Sequence, residues 1–276
     1  MDSDFRKKKK ISVGSKPFII GGLIGIFAVA GIVSGIIILI SESDKKTDTL
    51  IIGVPWNPML GDWSWTLDPL KAPWPVDANL IDQVAEGLFT INTTSHNSEI
   101  VNNLAINHSW SLDALNLTCI LKKNVKFHDD TPFNAEAVKW NFDRIHRLDL
   151  NLEYPELWKF PNGTYIINKT VALDAYTVRF VLNAPYTALI NLLASSFSSI
   201  LSPSATPPDR FINEKTEPLM ATGPFIIENY EYGYNISLSA NPHYWAAKPL
   251  IDKLVFVKIN STNGFYEMEA LKSGKI

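Results

Sequence analysis

Apolar and polar residues alternate along two short stretches of the chain. NLTCIL (116–121) places Leu117, Cys119 and Leu121 on one side, and TVRFVL (177–182) does the same with Val178, Phe180 and Leu182. A period of two is the mark of a strand with one buried face, so both stretches read as strands and Cys119 as a buried strand residue. Turn-like residues precede each, Asp113-Ala114 and LDAY, and the first alternation resumes at Val125 and Phe127. The pattern then changes to helical spacing at Ala135, Val138, Phe142 and Ile145, with Asn134 in place to cap the helix. Ala78 to Phe89 shows a second helical face, Leu80, Ile81, Val84, Ala85 and Leu88, and residues 187–196 form a short helix after Pro185. LIIGV (50–54) reads as a buried strand, FIIENY and NISLSA as a hairpin around Gly233, and LIDKLVFVKI (250–259) as a strand needing neighbours on both sides. YEMEALKSGKI begins a further helix. A small antiparallel sheet with attached helices accounts for the middle of the chain most economically.

One run has no polar face. PFIIGGLIGIFAVAGIVSGIIILI, residues 17–40, holds no charged residue. As a helix it would be roughly 35 Å long, enough to cross a bilayer core. AVA at 28–30 offers a signal-cleavage pattern, yet the apolar run continues to Ile40. A retained membrane helix is therefore expected, with a cleaved signal as its rival. The basic residues ahead of it would stay in the cytoplasm and place the main domain outside the cell.

Charge sharpens that division. The 276 residues carry a net charge of −3, but residues 1–41 hold six basic groups against two acidic ones. The body of the chain is acidic and shows no basic stripe, which excludes nucleic acid as the expected partner. Seven Asn-X-Ser/Thr sequons, at Asn92, Asn107, Asn116, Asn162, Asn168, Asn235 and Asn260, suit an exported, glycosylated surface. Cys119 is the single cysteine, so neither an intrachain disulfide nor a CxxC metal site is available.

Candidate chemistry is sparse. The segment 55–77, PWNPMLGDWSWTLDPLKAPWPVD, holds five prolines and four tryptophans. Such a loop can line a ligand surface or pack onto the core, and apolar bulk alone does not separate the two. No two of the five histidines stand three to five residues apart, so zinc spacing is absent. His128-Asp129-Asp130 has the composition of an acid–base or metal cluster, but Asp-Asp-Thr-Pro is also a strong turn former ahead of a capped helix. The turn accounts for every residue there, whereas catalysis lacks a third member. No nucleophile elbow, Walker loop or dinucleotide fingerprint is present. A hydrolase built on scattered carboxylates and a structural surface domain remain as alternatives.

Ordered blocks along the chain resemble the peptide/nickel-type, or family 5, extracellular solute-binding proteins of ABC importers. They are WTLDP (65–69), DQVAEGLF (82–89), LKKNVKFHDDTPFNAEAVKWNFDRI (121–145), LDAYTVRFVLNAPY (173–186), ATGPFIIENYEYGYNISLSANPHYW (221–245), PLIDKLVFVKI (249–259) and EALKSGKI (269–276). The resemblance implies an α/β fold, a type II periplasmic-binding-protein-like lobe with an inserted mixed subdomain, preceded here by one transmembrane helix. Charge and hydropathy give a basic cytoplasmic tail at 1–16, the membrane helix at 17–40 and a linker at 41–49, and the resemblance implies a first lobe at 50–259. The inserted subdomain would occupy about 90–200, and 260–276 would begin a second lobe that is otherwise missing. Members are not enzymes and use no cofactor; they capture a dipeptide, oligopeptide, nickel chelate or sugar and deliver it to permease subunits. Peptide is the expected solute class. By the family's pattern Trp74 is the expected ligand contact, followed by Tyr154, Trp158 and Thr222, each with core packing as the competing role. Two departures stand out: the lipoprotein cysteine is absent, and FHDD replaces the common FHDG, which strains the turn if Asp130 needs a positive φ.

Overall fold

The protein is seen as a computed structural model that describes residues 38–40, 48–56, 65–71, 75–93 and 97–260. Its strands are β1 (Ile38–Ile40), β2 (Thr49–Trp56), β3 (Phe89–Ile91), β4 (Ile100–Asn102), β5 (Ala105–Trp110), β6 (Asn116–Leu121), β7 (Ile167–Asp174), β8 (Thr177–Leu182), β9 (Phe225–Glu231), β10 (Asn235–Ala240) and β11 (Lys253–Asn260). The helices are α1 (Pro75–Val84), α2 (Ala135–Leu148) and α3 (Leu189–Leu193).

A mixed five-stranded sheet has the order β1-β2-β11-β10-β9. β11 runs parallel to β2, from Lys253 opposite Thr49 to Asn260 opposite Trp56, and antiparallel to β10. The apolar LVFVKI segment thus has a neighbour on each side, as its composition requires. α1 and Trp65 cover this sheet: Leu50, Ile52, Leu238, Leu254 and Phe256 pack with Leu80, Ile81 and Val84 in one buried cluster.

A second, antiparallel sheet has the order β5-β6-β8-β7. Its inner face, Leu117, Cys119, Leu121, Val178, Phe180 and Leu182, is buried with Val138, Phe142, Ile145 and Leu148 of α2. The Phe142 and Phe180 rings meet edge to face at 4.8 Å. β6 and β8 have the bounds that the alternation predicts, because both faces of each strand are committed, one to the core and one to solvent. Asn134 caps α2 by accepting from the Ala137 N–H at 2.9 Å.

Three boundaries differ from expectation. α1 starts at Pro75 and ends at Val84 rather than spanning 78–89. Proline is well tolerated at the first helical position, so the Pro-rich loop ends earlier than its composition indicates. At the other end Gly87 and the turn into β3 take over, with the Asn103 and Ala105 N–H groups donating to the Leu88 carbonyl. α3 covers five residues instead of ten. Residues 17–37 of the expected membrane helix lie outside the described residues, as do 261–276. Ile38–Ile40, expected as the last turn of that helix, instead pair antiparallel with β2, a state that β-branched residues favour beside an open strand edge. No helix among the described residues is long and apolar enough to cross a membrane.

Candidate functional site

Parallel strands in open sheets leave a ligand crevice at their carboxyl ends. β2 and β11 end together, Trp56 beside Asn260, and three other pieces of chain gather at that edge. The turn between β9 and β10 is one: the Tyr234 carbonyl accepts from the Lys258 N–H at 2.9 Å. Its tip reverses at Gly233, whose φ of +79° suits glycine. The segment Trp65–Lys71 is the second, held because the Tyr230 hydroxyl accepts from the Trp65 N–H at 2.9 Å and donates to the Trp65 carbonyl at 3.3 Å. The third is the beginning of α1.

The link between Lys71 and Pro75 is anchored on both sides. Before it, Asp68 and Arg144 form a fully buried bidentate pair, Nη1 to Oδ1 and Nη2 to Oδ2. Asp68 also accepts from the N–H groups of Leu70 (3.1 Å) and Ile212 (3.0 Å). Arg144 Nε and Nη2 also donate to the carbonyls of Pro207 and Arg210, at 2.9 and 2.8 Å. Both carboxylate oxygens and all three guanidinium nitrogens are therefore engaged, the condition under which a buried ion pair is tolerated. After the link, Asp77 accepts from the Thr66 N–H at 3.2 Å.

Desolvation and then the carboxylates of Glu153, Glu156 and Asp77 hold the Tyr154 hydroxyl above the usual phenol range. Its half-exposed ring lies 6.0 Å from Phe197. Tyr232 and Tyr234, at the β9–β10 tip, are 38% and 67% exposed, and Lys215 Nζ stands 4.0 Å above the Tyr232 ring. The sequence signal for this aromatic edge was EYGY around Gly233, which the hairpin pattern absorbed without assigning it a role.

The other expected contacts are placed differently. Trp158 is buried, 6.2 Å from Phe142 in the core beneath α2. Thr222 is 0% exposed and donates its hydroxyl to Glu86 at 2.8 Å. Tyr244 and Trp245 donate to the same carboxylate, at 2.8 and 2.7 Å. Burial pushes the Glu86 carboxyl above its ordinary range, while hydrogen bonds from Trp245, Tyr244 and Thr222 pull the other way. Trp74 lies outside the described residues. Of the sequon asparagines, Asn107, Asn162 and Asn168 are exposed, and Asn92, Asn116 and Asn235 are half-buried; the surroundings of Asn260 lie outside the described residues.

FHDD is a turn. The Asp130 N–H donates to the Phe127 carbonyl, and the Phe127 N–H to the Thr131 carbonyl, both at 2.9 Å. Asp130 has φ +64°, the left-handed conformation that the usual glycine would adopt without strain. The Ala221 N–H donates to His128 Nδ1 at 3.5 Å, so Nε2 carries the proton and donates to the Gly223 carbonyl at 3.0 Å. Burial lowers the His128 pKa, in keeping with a neutral ring. Asp129 accepts from the hydroxyls of Ser202 and Thr131. Burial opposes its ionisation, but these bonds prevail and hold the carboxyl below its ordinary range. His and Asp here fasten the turn to the 202 and 221–223 segments. Among the described residues no group of three His, Cys, Asp or Glu could hold a metal ion.

A mixed sheet of this order with a helix-backed antiparallel subdomain is the type II periplasmic-binding-protein-like α/β arrangement. The family model for bacterial extracellular solute-binding proteins, family 5, matches residues 99–276, and the chain belongs to that non-catalytic family. Its curated relatives include the glutathione-binding protein GsiB of Salmonella choleraesuis, 29% identical over 199 residues. That alignment covers 72% of this chain but 37% of the relative, so the chain spans little more than a third of the length of such proteins. Among solved structures, the periplasmic binding protein DppA from Helicobacter pylori in complex with the peptide STSA superposes with a TM-score of 0.69 at 26% identity, covering 83% of this chain and 45% of that one. MoaA from A. tumefaciens R10, in complex with mannopinic acid, gives 0.70 at 25%, covering 84% and 44%.

Proposed function

We propose that this chain supplies the first lobe of a membrane-tethered extracellular solute-binding protein that captures peptides and presents them to the permease of an ABC importer. The observation that carries the reading is the shared carboxyl edge of β2 and β11, where an anchored loop and exposed tyrosines converge in a chain of this family. A peptide solute is favoured by DppA, solved with STSA, and by GsiB, named for glutathione. Aromatic rings suit side chains of variable identity, because they give contact area without one fixed hydrogen-bond pattern.

Residues 50–259 form the lobe in this reading, with about 90–200 as its inserted subdomain and 260–276 opening the second lobe. Trp74 and Tyr154 face the solute, joined by Tyr232 and Tyr234, while Trp158 and Thr222 support the edge from beneath. Residues 17–37 are the tether in this reading, running up to β1 at Ile38–Ile40 and supported by their length without charge and by the basic residues on the amino side.

A thermal-shift screen of the complete extracellular region tests this reading. At a hundredfold excess over Kd a specific solute stabilises by about 2.7 kcal/mol. Di- to pentapeptides are expected to raise the melting temperature and mannopinic acid to leave it unchanged. The reverse ranking would replace peptide with an opine-like solute.

A further inference from the structure

The seven sequons are chemically alike in sequence, but the folded chain does not present them alike. Oligosaccharyl transfer needs the asparagine amide nitrogen as nucleophile and the Ser/Thr hydroxyl two residues on as a recognition group. Both must be free and solvent-facing if the acceptor is already folded. A regular strand projects residues i and i+2 from the same face, but β-bulges at Ala105/Asn107 and Ile167/Lys169 interrupt that alternation, so the two residues of a sequon can differ in exposure.

Two sequons meet the condition. Asn107 and Ser109, on edge strand β5, are both exposed, and the Asn107 Oδ1 accepts from the His108 N–H at 2.8 Å, leaving Nδ2 uncommitted. Asn162 and Thr164 are exposed in a tight turn at Gly163, φ +82°. There Asn162 Oδ1 accepts from the Thr164 N–H at 3.0 Å, an Asx-turn that again leaves the amide nitrogen outward.

Three others fail it, each for a different reason. The Thr118 hydroxyl of the Asn116 sequon accepts from Arg179 Nε at 3.2 Å. Thr170, partner of Asn168, is 3% exposed and faces the core. Asn235 donates its amide nitrogen to Glu231 Oε2 at 2.7 Å, and its Ser237 is buried. The sequons at Asn92 and Asn260 extend into residues 94 and 261–262, outside the described residues.

We infer that Asn107 and Asn162 are the N-glycan attachment sites of this group of five, modified after the domain has folded. The inference rests on the extracellular placement proposed above. In the transfer, Asn Nδ2 attacks C1 of the first sugar of a lipid-phosphate-linked oligosaccharide. The C1–O bond breaks with its electron pair going to the lipid phosphate, and the amide nitrogen gives up one proton as the N–C bond forms. The Asn107 glycan has a structural consequence. Asn107 stands directly across from Ile120, and Ile106 and Ile120 are 53% and 41% exposed on the same small sheet. A sugar ring at Asn107 lies over this apolar surface and reduces its exposure to water.

Glycopeptide mass spectrometry of the full-length protein from its native cell tests the inference. Sugar is expected on the Asn107 and Asn162 peptides and not on those of Asn116, Asn168 or Asn235. The variants N107Q and N162Q each remove one glycan from the intact mass, and Thr170→Val removes none. Bare Asn107 and Asn162 peptides, or sugar on any of the other three, would overturn it. Solute binding measured on the same preparation separates the outcomes: a bare protein that binds peptide refutes the glycan sites alone, and a glycosylated one that binds nothing refutes the transport reading alone.

Discussion

Asp68 and Arg144, 76 residues apart in the chain, form a buried bidentate ion pair that ties the WTLDP segment to the inner face of α2. The pair fixes the approach to the Lys71–Pro75 link, so its first consequence is for stability. Arg144→Met leaves the Asp68 carboxylate buried without its cation and should cost about 3–5 kcal/mol. The double variant D68L/R144M should recover part of that loss, because no charge is then stranded. Urea unfolding followed by circular dichroism measures both. An equal loss in the single and double variants would contradict the assignment.

Asp130 is held at positive φ, where an L side chain costs roughly 1–2 kcal/mol and glycine costs more unfolded-state entropy. The difference favours glycine. Asp130→Gly should stabilise the domain by about 0.5 kcal/mol, even though it removes the exposed contact with Lys126. A lower urea midpoint for the variant would show that the side chain matters more than the backbone.

Gly223 is confined by backbone. A Cβ there would stand 2.5 Å from both the carbonyl carbon and the oxygen of Val84. Gly223→Ala should therefore cost on the order of 3 kcal/mol through forced displacement of α1. Since the Gly223 carbonyl also accepts from His128, the same change should loosen the FHDD turn, visible as faster amide exchange at His128.

The neutral His128 ring gives a pH dependence with a defined sign. Its folded pKa lies below the ordinary 6.5, so between those two values the unfolded chain binds the proton and the native one does not. Stability should fall as pH drops below about 6.5, by about 1.4 kcal/mol for each unit of separation. His128→Gln removes this component, so its stability difference from the wild type should shrink from pH 7.5 to pH 5. A difference that grows on acidification would mean that the ring is charged in the native state.

Edge and support residues should separate cleanly by substitution. Tyr154→Ala and Tyr234→Ala remove solvent-facing rings and should weaken solute binding about tenfold, or 1.4 kcal/mol, with little change in melting temperature. Thr222→Val withdraws a donor from buried Glu86 and should cost about 1–3 kcal/mol of stability instead. Affinity losses confined to the Thr222 variant would reverse the two roles.

The parts of this fold that could be read from sequence are those whose cause is local. The bounds of β6 and β8 follow from alternation, and the start of α2 from Asn134. The missed parts depend on distant partners. Thr222 and Glu86 are 136 residues apart, and His128 and Gly223 are 95 apart, so nothing near either residue announces the contact. Thr222 is expected as a ligand contact because its neighbours form a landmark, and its own side chain is buried against Glu86. The tyrosine tip was hidden for the opposite reason: the hairpin pattern already explained EYGY, leaving its exposure without a role.

Isothermal titration of the complete extracellular region against a library of di- to pentapeptides is the most direct measure of the central claim. The account predicts saturable one-to-one binding to at least one peptide, weakened about tenfold by Tyr234→Ala and unchanged by substitution of exposed Leu250. Absence of heat with every peptide, from protein shown to be folded, would contradict it.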